Sequence, residues 1–221
     1  MPAFVTFEGL DGSGKTTHLA RVAGWLAAAG VPHRVTHEPG GTPLGEAVRR
    51  VFLDHRWGPM DGTVELLLVF ASRRQHLLEV VEPALAAGEH VLSDRFTDST
   101  RAYQGAGRGV PAELIEQVDR VATGGRAPDR TLLFDLPAEL ARERGCGDRG
   151  TAADADRLDL EELAFYGRVR EGFLALARAE PERFRVIDSS GAKEETEAQV
   201  RRALADLFPE IAQAAHGEEG G

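Results

Sequence analysis

With 221 residues, 42% hydrophobic and 28% charged, the chain has room for one well-buried domain and the balance of a globular protein. A formal net charge of -10 excludes a general nucleic-acid binder, which needs a basic face, but leaves room for a small phosphorylated ligand met by local arginines. The single cysteine, Cys146, excludes an internal disulfide framework and fits a reducing cytosol, and neither a signal-peptide pattern nor a membrane-spanning apolar run is visible, so a cytoplasmic protein with no membrane partner is expected.

Strand-like runs fall at residues 3–7, 34–37 (weaker), 90–93, 131–135 and 184–188. Leu19, Val22, Ala23 and Leu26 follow the spacing of a buried helical stripe after the first strand, and Val200, Ala203, Leu204 and Leu207 repeat it near the end. A longer helix is expected over 64–87, stopped by Gly88, and another over 160–179. Strands alternating with helices predict parallel pairing and a three-layer α/β sandwich. One domain over 1–208 is expected, with 209–221 as a flexible tail.

Between the first strand and the first helix lies Gly9-Leu10-Asp11-Gly12-Ser13-Gly14-Lys15-Thr16, followed by Thr17. Its G-x-x-x-x-G-K-[ST] spacing is that of a loop that cradles phosphates. Glycines let backbone N–H groups turn inward, and the helix adds its positive end. Lys15 is one of only two lysines, the other 24 of 26 basic residues being arginine. A compact ammonium kept at this position is expected to reach the β- and γ-phosphates of ATP, with the Thr16 hydroxyl on Mg2+. The chain contains no asparagine, so the guanine-reading N-K-x-D motif is impossible and a GTPase is disfavoured.

Three further stretches carry polar chemistry. Glu38-Pro-Gly-Gly-Thr-Pro-Leu-Gly-Glu46, followed by Arg49, is either a plain turn or a turn that sets Glu38 and Arg49 beside a ligand. Phe70 and Arg73, three apart on the long helix, share a face; they form either a base platform or a core ring beside a surface charge. Asp94-Arg95 ends a strand on the edge where α/β ligands bind. Asp94 then serves Mg2+ through water and Arg95 clamps phosphate, unless the two form a structural ion pair. Residues 142–157, with arginines at 142, 144, 149 and 157, lack apolar periodicity and read either as a solvated loop or as a lid over polyphosphate.

Together, EPGGTPLGE, SDRF, DSTRAYQGAGRG and DRLDLEELAFYGRVREGF resemble the motifs of the thymidylate kinase family over nearly the whole chain. The resemblance implies a P-loop nucleoside monophosphate kinase fold, with a five-stranded parallel sheet between helices, a homodimer, and transfer of the ATP γ-phosphoryl to dTMP for dTTP synthesis. By the same resemblance Arg95 grips the dTMP phosphate, and Glu38, Arg49, Arg73, Ser99, Thr100, Tyr103 and Gln104 fall on dTMP-site positions. The loop 188–191 matches the adenine side. Asp11 looks like the group that contacts the 3′-hydroxyl region of dTMP, resolving the oddity of an acid in an anion cradle. The family's thymine-stacking Phe falls on Val69, leaving Phe70 one residue displaced. The slot where some members carry a phosphate-loop arginine is Gly12, so the lid arginines Arg142, Arg144, Arg149 and Arg157 are expected to supply that charge, Arg149 first and Arg157 second. The rival readings are a kinase for another deoxynucleoside monophosphate and an ATP-dependent regulatory switch.

Overall fold

All six residues of β1 (Phe4–Gly9) are buried, as befits a strand covered on both faces. The computed structural model describes residues 1–148, 157–158 and 161–214, and in it β1 is the middle strand of a five-stranded parallel sheet. The others are β2 (His33–His37), β3 (His90–Asp94), β4 (Arg130–Asp135) and β5 (Phe184–Asp188), in the order β2-β3-β1-β4-β5. Register pairs Phe7 with Asp94, His37 with Asp94, Gly9 with Phe134 and Asp135 with Asp188. The carboxyl ends of all five parallel strands therefore share one rim, with Gly9, His37, Asp94, Asp135 and Asp188 along it. From the adjacent strands β1 and β4 the chain runs in opposite directions across the sheet, to β2 and to β5, and that divergence opens the crevice in which α/β ligands sit.

Alternation along β1 sends side chains to two layers. Val5 and Phe7 pack with Leu19, Val22 and Leu26 of α1 (Lys15–Ala28), Val200 and Leu204 of α9 (Lys193–Leu204), and Phe208. Phe4 packs on the other face with Leu77, Val81 and Phe96. Each fully buried Phe or Leu contributes about 2 kcal/mol relative to exposure. A larger cluster, including Leu66, Val69, Phe70, Tyr103, Phe165 and Phe173, joins α3 (Gly62–His76) to α8 (Leu163–Ala179).

The helix expected over 64–87 is three pieces. After α3 come a π-helical turn, Leu77–Val81, and α4 (Glu82–Ala86). Pro83 accounts for the interruption: it brings no N–H, and a wider turn before it accommodates its ring. Gly88 does end the run, at φ 83°. The expected tail is corrected at its start, because Pro209–Ala214 forms α10 and Ile211 is buried beside Phe208. Residues 215–221 lie outside the described residues.

Candidate active site

The phosphate loop is built as its glycines require. At Gly9, φ is 140° and an added Cβ would lie 2.5 Å from the Phe134 carbonyl oxygen, so no side chain fits. Leu10 turns its side chain into the core and offers only backbone to a ligand. Gly14 caps α1 in the left-handed region, and Lys15 is the first helical residue. The unpaired N–H groups of that first turn are thus delivered to the sheet rim. Gly12, Ser13, Gly14 and Thr17 line a cavity whose far wall is Arg144, Ser189, Gly191 and Lys193. Ser13 Oγ and His18 Nδ1 are buried there without a hydrogen-bond partner among the described residues, as donors and acceptors awaiting a ligand would be.

A second crevice continues from the first turn of α1. Lys15, only 5% exposed, donates from Nζ to Asp11 Oδ1 at 3.0 Å. The Thr16 hydroxyl donates to Asp94 Oδ2 at 2.5 Å, while Asp94 Oδ1 is buried and has no partner among the described residues. Two hard oxygen groups in contact at the mouth of a phosphate loop suit a Mg2+ that takes its other ligands from phosphates and water. No group of three or more His, Cys, Asp or Glu among the described residues offers an all-protein metal cage.

Arg95 stands between this crevice and a third cavity. Its φ is 74°, the only left-handed non-glycine among the described residues. It donates to the Gly9 carbonyl at 3.0 Å, to Ser99 Oγ at 2.9 Å and to Asp11 Oδ1 at 2.7 Å. Burial disfavours its charge, yet Tyr103, Asp11, Asp94 and Glu8 outweigh burial and raise its pKa. For Asp11, burial would raise the carboxyl, but Lys15 and Arg95 hold it well below the usual carboxylate range. The acid in the anion cradle is a bridge between the cation of one crevice and the cation of the next.

The third cavity lies between α3 and α2 (Pro43–Leu53). Asp11, Glu38, Arg49 and Arg73 border it, as do Arg95, Ser99, Thr100, Tyr103 and Gln104. Arg73 is 2% exposed; its Nε donates to Glu38 Oε2 at 2.7 Å and its Nη2 to Thr100 Oγ1 at 3.1 Å. Its Nη1 is buried with no partner among the described residues, a donor left for a ligand acceptor. Burial would raise Glu38, but Arg73 and His76 lower it, so it is an ionised anchor for Arg73. Arg49 Nη1 donates to the Pro39 carbonyl at 3.0 Å, across a turn whose Glu38–Pro39 bond is cis.

Two expectations are corrected here. Phe70 does not border the cavity; it is 2% exposed in the core, with the Arg73 guanidinium 4.6 Å from its ring centroid. Val69, four residues before Arg73 and so on the same helical face, borders the cavity instead. Arg157 does not reach toward the phosphate loop. It is 5% exposed, donates to Glu65 Oε1 at 2.6 Å and to the Phe52 carbonyl at 3.1 Å, and braces the acceptor-side wall. Arg144, on α7 (Ala138–Asp148), holds the loop after β5 through the carbonyls of Ser189 at 2.8 Å and Ser190 at 3.2 Å. Arg142 is exposed on the same helix, and Arg149 lies outside the described residues.

Sequence reading missed Phe52 and Phe96, which border the cavity, and the buried acids Glu8 and Glu65 behind it. A signal existed for three of the four. Phe52 is three residues after Arg49 on one helical face. Glu8 and Glu65 are lone carboxylates within the apolar runs FVTFEG and TVELLL, where only a buried partner makes a charge tolerable.

Comparison with known proteins agrees with this geometry. Residues 7–200 match the family model described as Thymidylate kinase. A relative of that name from Paraburkholderia phytofirmans is 49% identical over 93% of this chain and 96% of its own. Another from Burkholderia cenocepacia is 49% identical over 92% and 98%. A crystal structure of thymidylate kinase from Ehrlichia chaffeensis superposes with a TM-score of 0.71 at 34% identity, covering 92% of this chain and 98% of that one. The family model over residues 7–200 and relatives that match nearly the full length place the chain in the thymidylate kinase family.

Proposed function

We propose that the chain transfers the γ-phosphoryl group of ATP to dTMP, giving ADP and dTDP for dTTP synthesis. One observation carries the reading: Asp11 borders both the crevice of Lys15 and Thr16 and the cavity of Arg73 and Tyr103, so two ligands bound there meet end to end. The acceptor phosphate, with a second pKa near 6, is largely dianionic at neutral pH, and its oxygen attacks without a general base. What remains is alignment and cancellation of charge. Lys15 meets the β- and γ-phosphates, and Arg95 grips the acceptor phosphate facing them. Asp11 accepts a hydrogen bond from the acceptor's sugar hydroxyl, and Arg73 Nη1 donates to a base carbonyl. Thr16 and Asp94 would hold Mg2+, which would supply positive charge against the ATP phosphates. Arg142 and Arg149 are the lid groups that remain for the donor; an Arg149→Ala enzyme that keeps its kcat would remove Arg149 from this scheme.

A coupled ADP-release assay across dTMP, dUMP, dCMP, dGMP and AMP tests the reading. Turnover should rise strongly with dTMP and scarcely with dCMP or AMP. Equal stimulation by all would indicate a different acceptor specificity, and stimulation by none would indicate a regulatory switch. Phe52 and Val69 supply the apolar wall for the base. Phe52→Ala should raise the KM for dTMP about tenfold, the scale of losing one buried aromatic contact, with the KM for ATP unchanged.

The active form is a homodimer in a reducing cytoplasm, the latter in keeping with a single cysteine. Val64, Leu67 and Leu78 lie along one side of α3 and its π-helical extension, 46%, 55% and 51% exposed, and Val121 on α6 (Ala112–Thr123), which packs on α3, is 83% exposed. Such a face favours a second copy. Sedimentation should give twice the chain mass, and a monomer at micromolar concentration would refute the dimer.

A further inference from the structure

Glu8, the fifth residue of β1, is fully buried and borders none of the three cavities. Its Oε1 accepts the Phe96 backbone N–H at 2.7 Å, and its Oε2 lies 2.5 Å from Ser99 Oγ. Ser99 Oγ also accepts Arg95 Nη1 at 2.9 Å and borders the acceptor cavity. A hydroxyl has one proton to give and two lone pairs to offer. When Glu8 is ionised it only accepts, so the Ser99 proton is committed to Glu8 and the cavity is shown no donor. When Glu8 carries a proton on Oε2, it donates to Ser99 Oγ; Arg95 fills the second lone pair, and the Ser99 proton is released toward the cavity. The heavy atoms need not move between the two arrangements.

The surroundings keep the proton on Glu8. Burial and the Asp98 carboxylate push its carboxyl up to about 8, against the lowering effects of Arg95, Ser99 and the Phe96 N–H. Asp98, on α5 (Thr97–Thr100), is itself claimed by Arg183 at 2.6 Å and Arg101 at 3.2 Å. Arg95 is shared with Asp11 and lies over the Tyr103 ring, and β4 adds the uncharged Thr131. Glu8 is thus left with Arg95 as its one cation, and Arg95 is already shared with Asp11. Below about pH 8 Glu8 is neutral; above it the proton is lost.

We propose that Glu8 is a positioning residue whose proton sets the direction of the Ser99 hydroxyl, so that Ser99 donates to the acceptor phosphate held by Arg95 only while Glu8 is protonated. This rests on the reading of that cavity as the dTMP site. The KM for dTMP, measured at saturating ATP and Mg2+ from pH 7 to 9, should rise about tenfold in the wild-type enzyme, the scale of one hydrogen bond to a charged acceptor. The phosphate of dTMP, with its pKa near 6, contributes little to that rise over the same range. Glu8→Gln keeps an acceptor for Phe96 N–H and places a permanent amide donor beside Ser99, so its KM should be flat across the range. Ser99→Ala should also be flat, at a raised value. A flat wild-type profile overturns the proposal, as does a rise that survives in both variants. If dTMP is accepted with a flat profile, only the role of Glu8 falls; if no monophosphate is accepted, the function and the role fall together.

Discussion

Lys15→Ala is expected to lower kcat by a hundred- to a thousandfold while leaving the fold intact, a loss on the scale of about 3–4 kcal/mol of transition-state stabilisation. Among the described residues Lys15 is bound only to Asp11, with a marginal 3.5 Å contact to the Leu10 carbonyl, and Asp11 keeps Arg95 as a second partner. Removing the ammonium therefore strands no buried charge, and thermal unfolding should move little. The interaction lost is with charge that develops on the transferred phosphoryl group. Lys15→Arg should not restore the rate, because a planar fork cannot occupy the place of a compact ammonium buried to 5% exposure. Retention of more than about a tenth of the wild-type rate by Lys15→Ala would contradict the electrostatic role.

Arg95 should show the second large effect, with a separable backbone component. Arg95→Ala and Arg95→Gly both remove the guanidinium that links Gly9, Ser99 and Asp11, so both should lose about a thousandfold in kcat/KM for dTMP. They should differ in stability. At φ 74° an alanine is as strained as the arginine, whereas glycine adopts that region freely. The glycine variant should therefore be more stable than the alanine variant by about 1 kcal/mol at equal activity. Equal unfolding midpoints would show that the turn after β3 relaxes by another route.

The sheet and the phosphate loop were legible because their signals are local. Five apolar runs separated by helical stripes describe a parallel sheet, and the glycine spacing from Gly9 to Gly14 describes a cradle. Which ring lines the acceptor cavity was not legible, since it depends on how α2 faces α3. One residue along a helix is a rotation of 100°, enough to send Phe70 into the core and Val69 into the cavity. The stretch AYQGAGRG is a second case. Residues 101–107 form a π-helical turn pressed on α8, where a Cβ on Gly107 would lie 2.6 Å from Phe165. At least that glycine serves packing between two elements far apart in sequence, and no local pattern announces it. Arg157 was misread for a related reason: its composition marks a lid, but its partner, Glu65, lies 92 residues away.

Glu65 and Arg144 together say how the arginine-rich stretch is fastened. Arg144, near its start, is tied to the loop beside the donor cavity. Arg157, at its end, is tied to Glu65, which also takes Gln104 at 2.8 Å and Arg108 at 3.1 Å behind the acceptor cavity. Arg144 and Arg157 are thus anchors, one on each substrate's side of the reaction. Two of the four arginines that composition offered as charge for the phosphates are spent instead on backbone carbonyls and a buried acid.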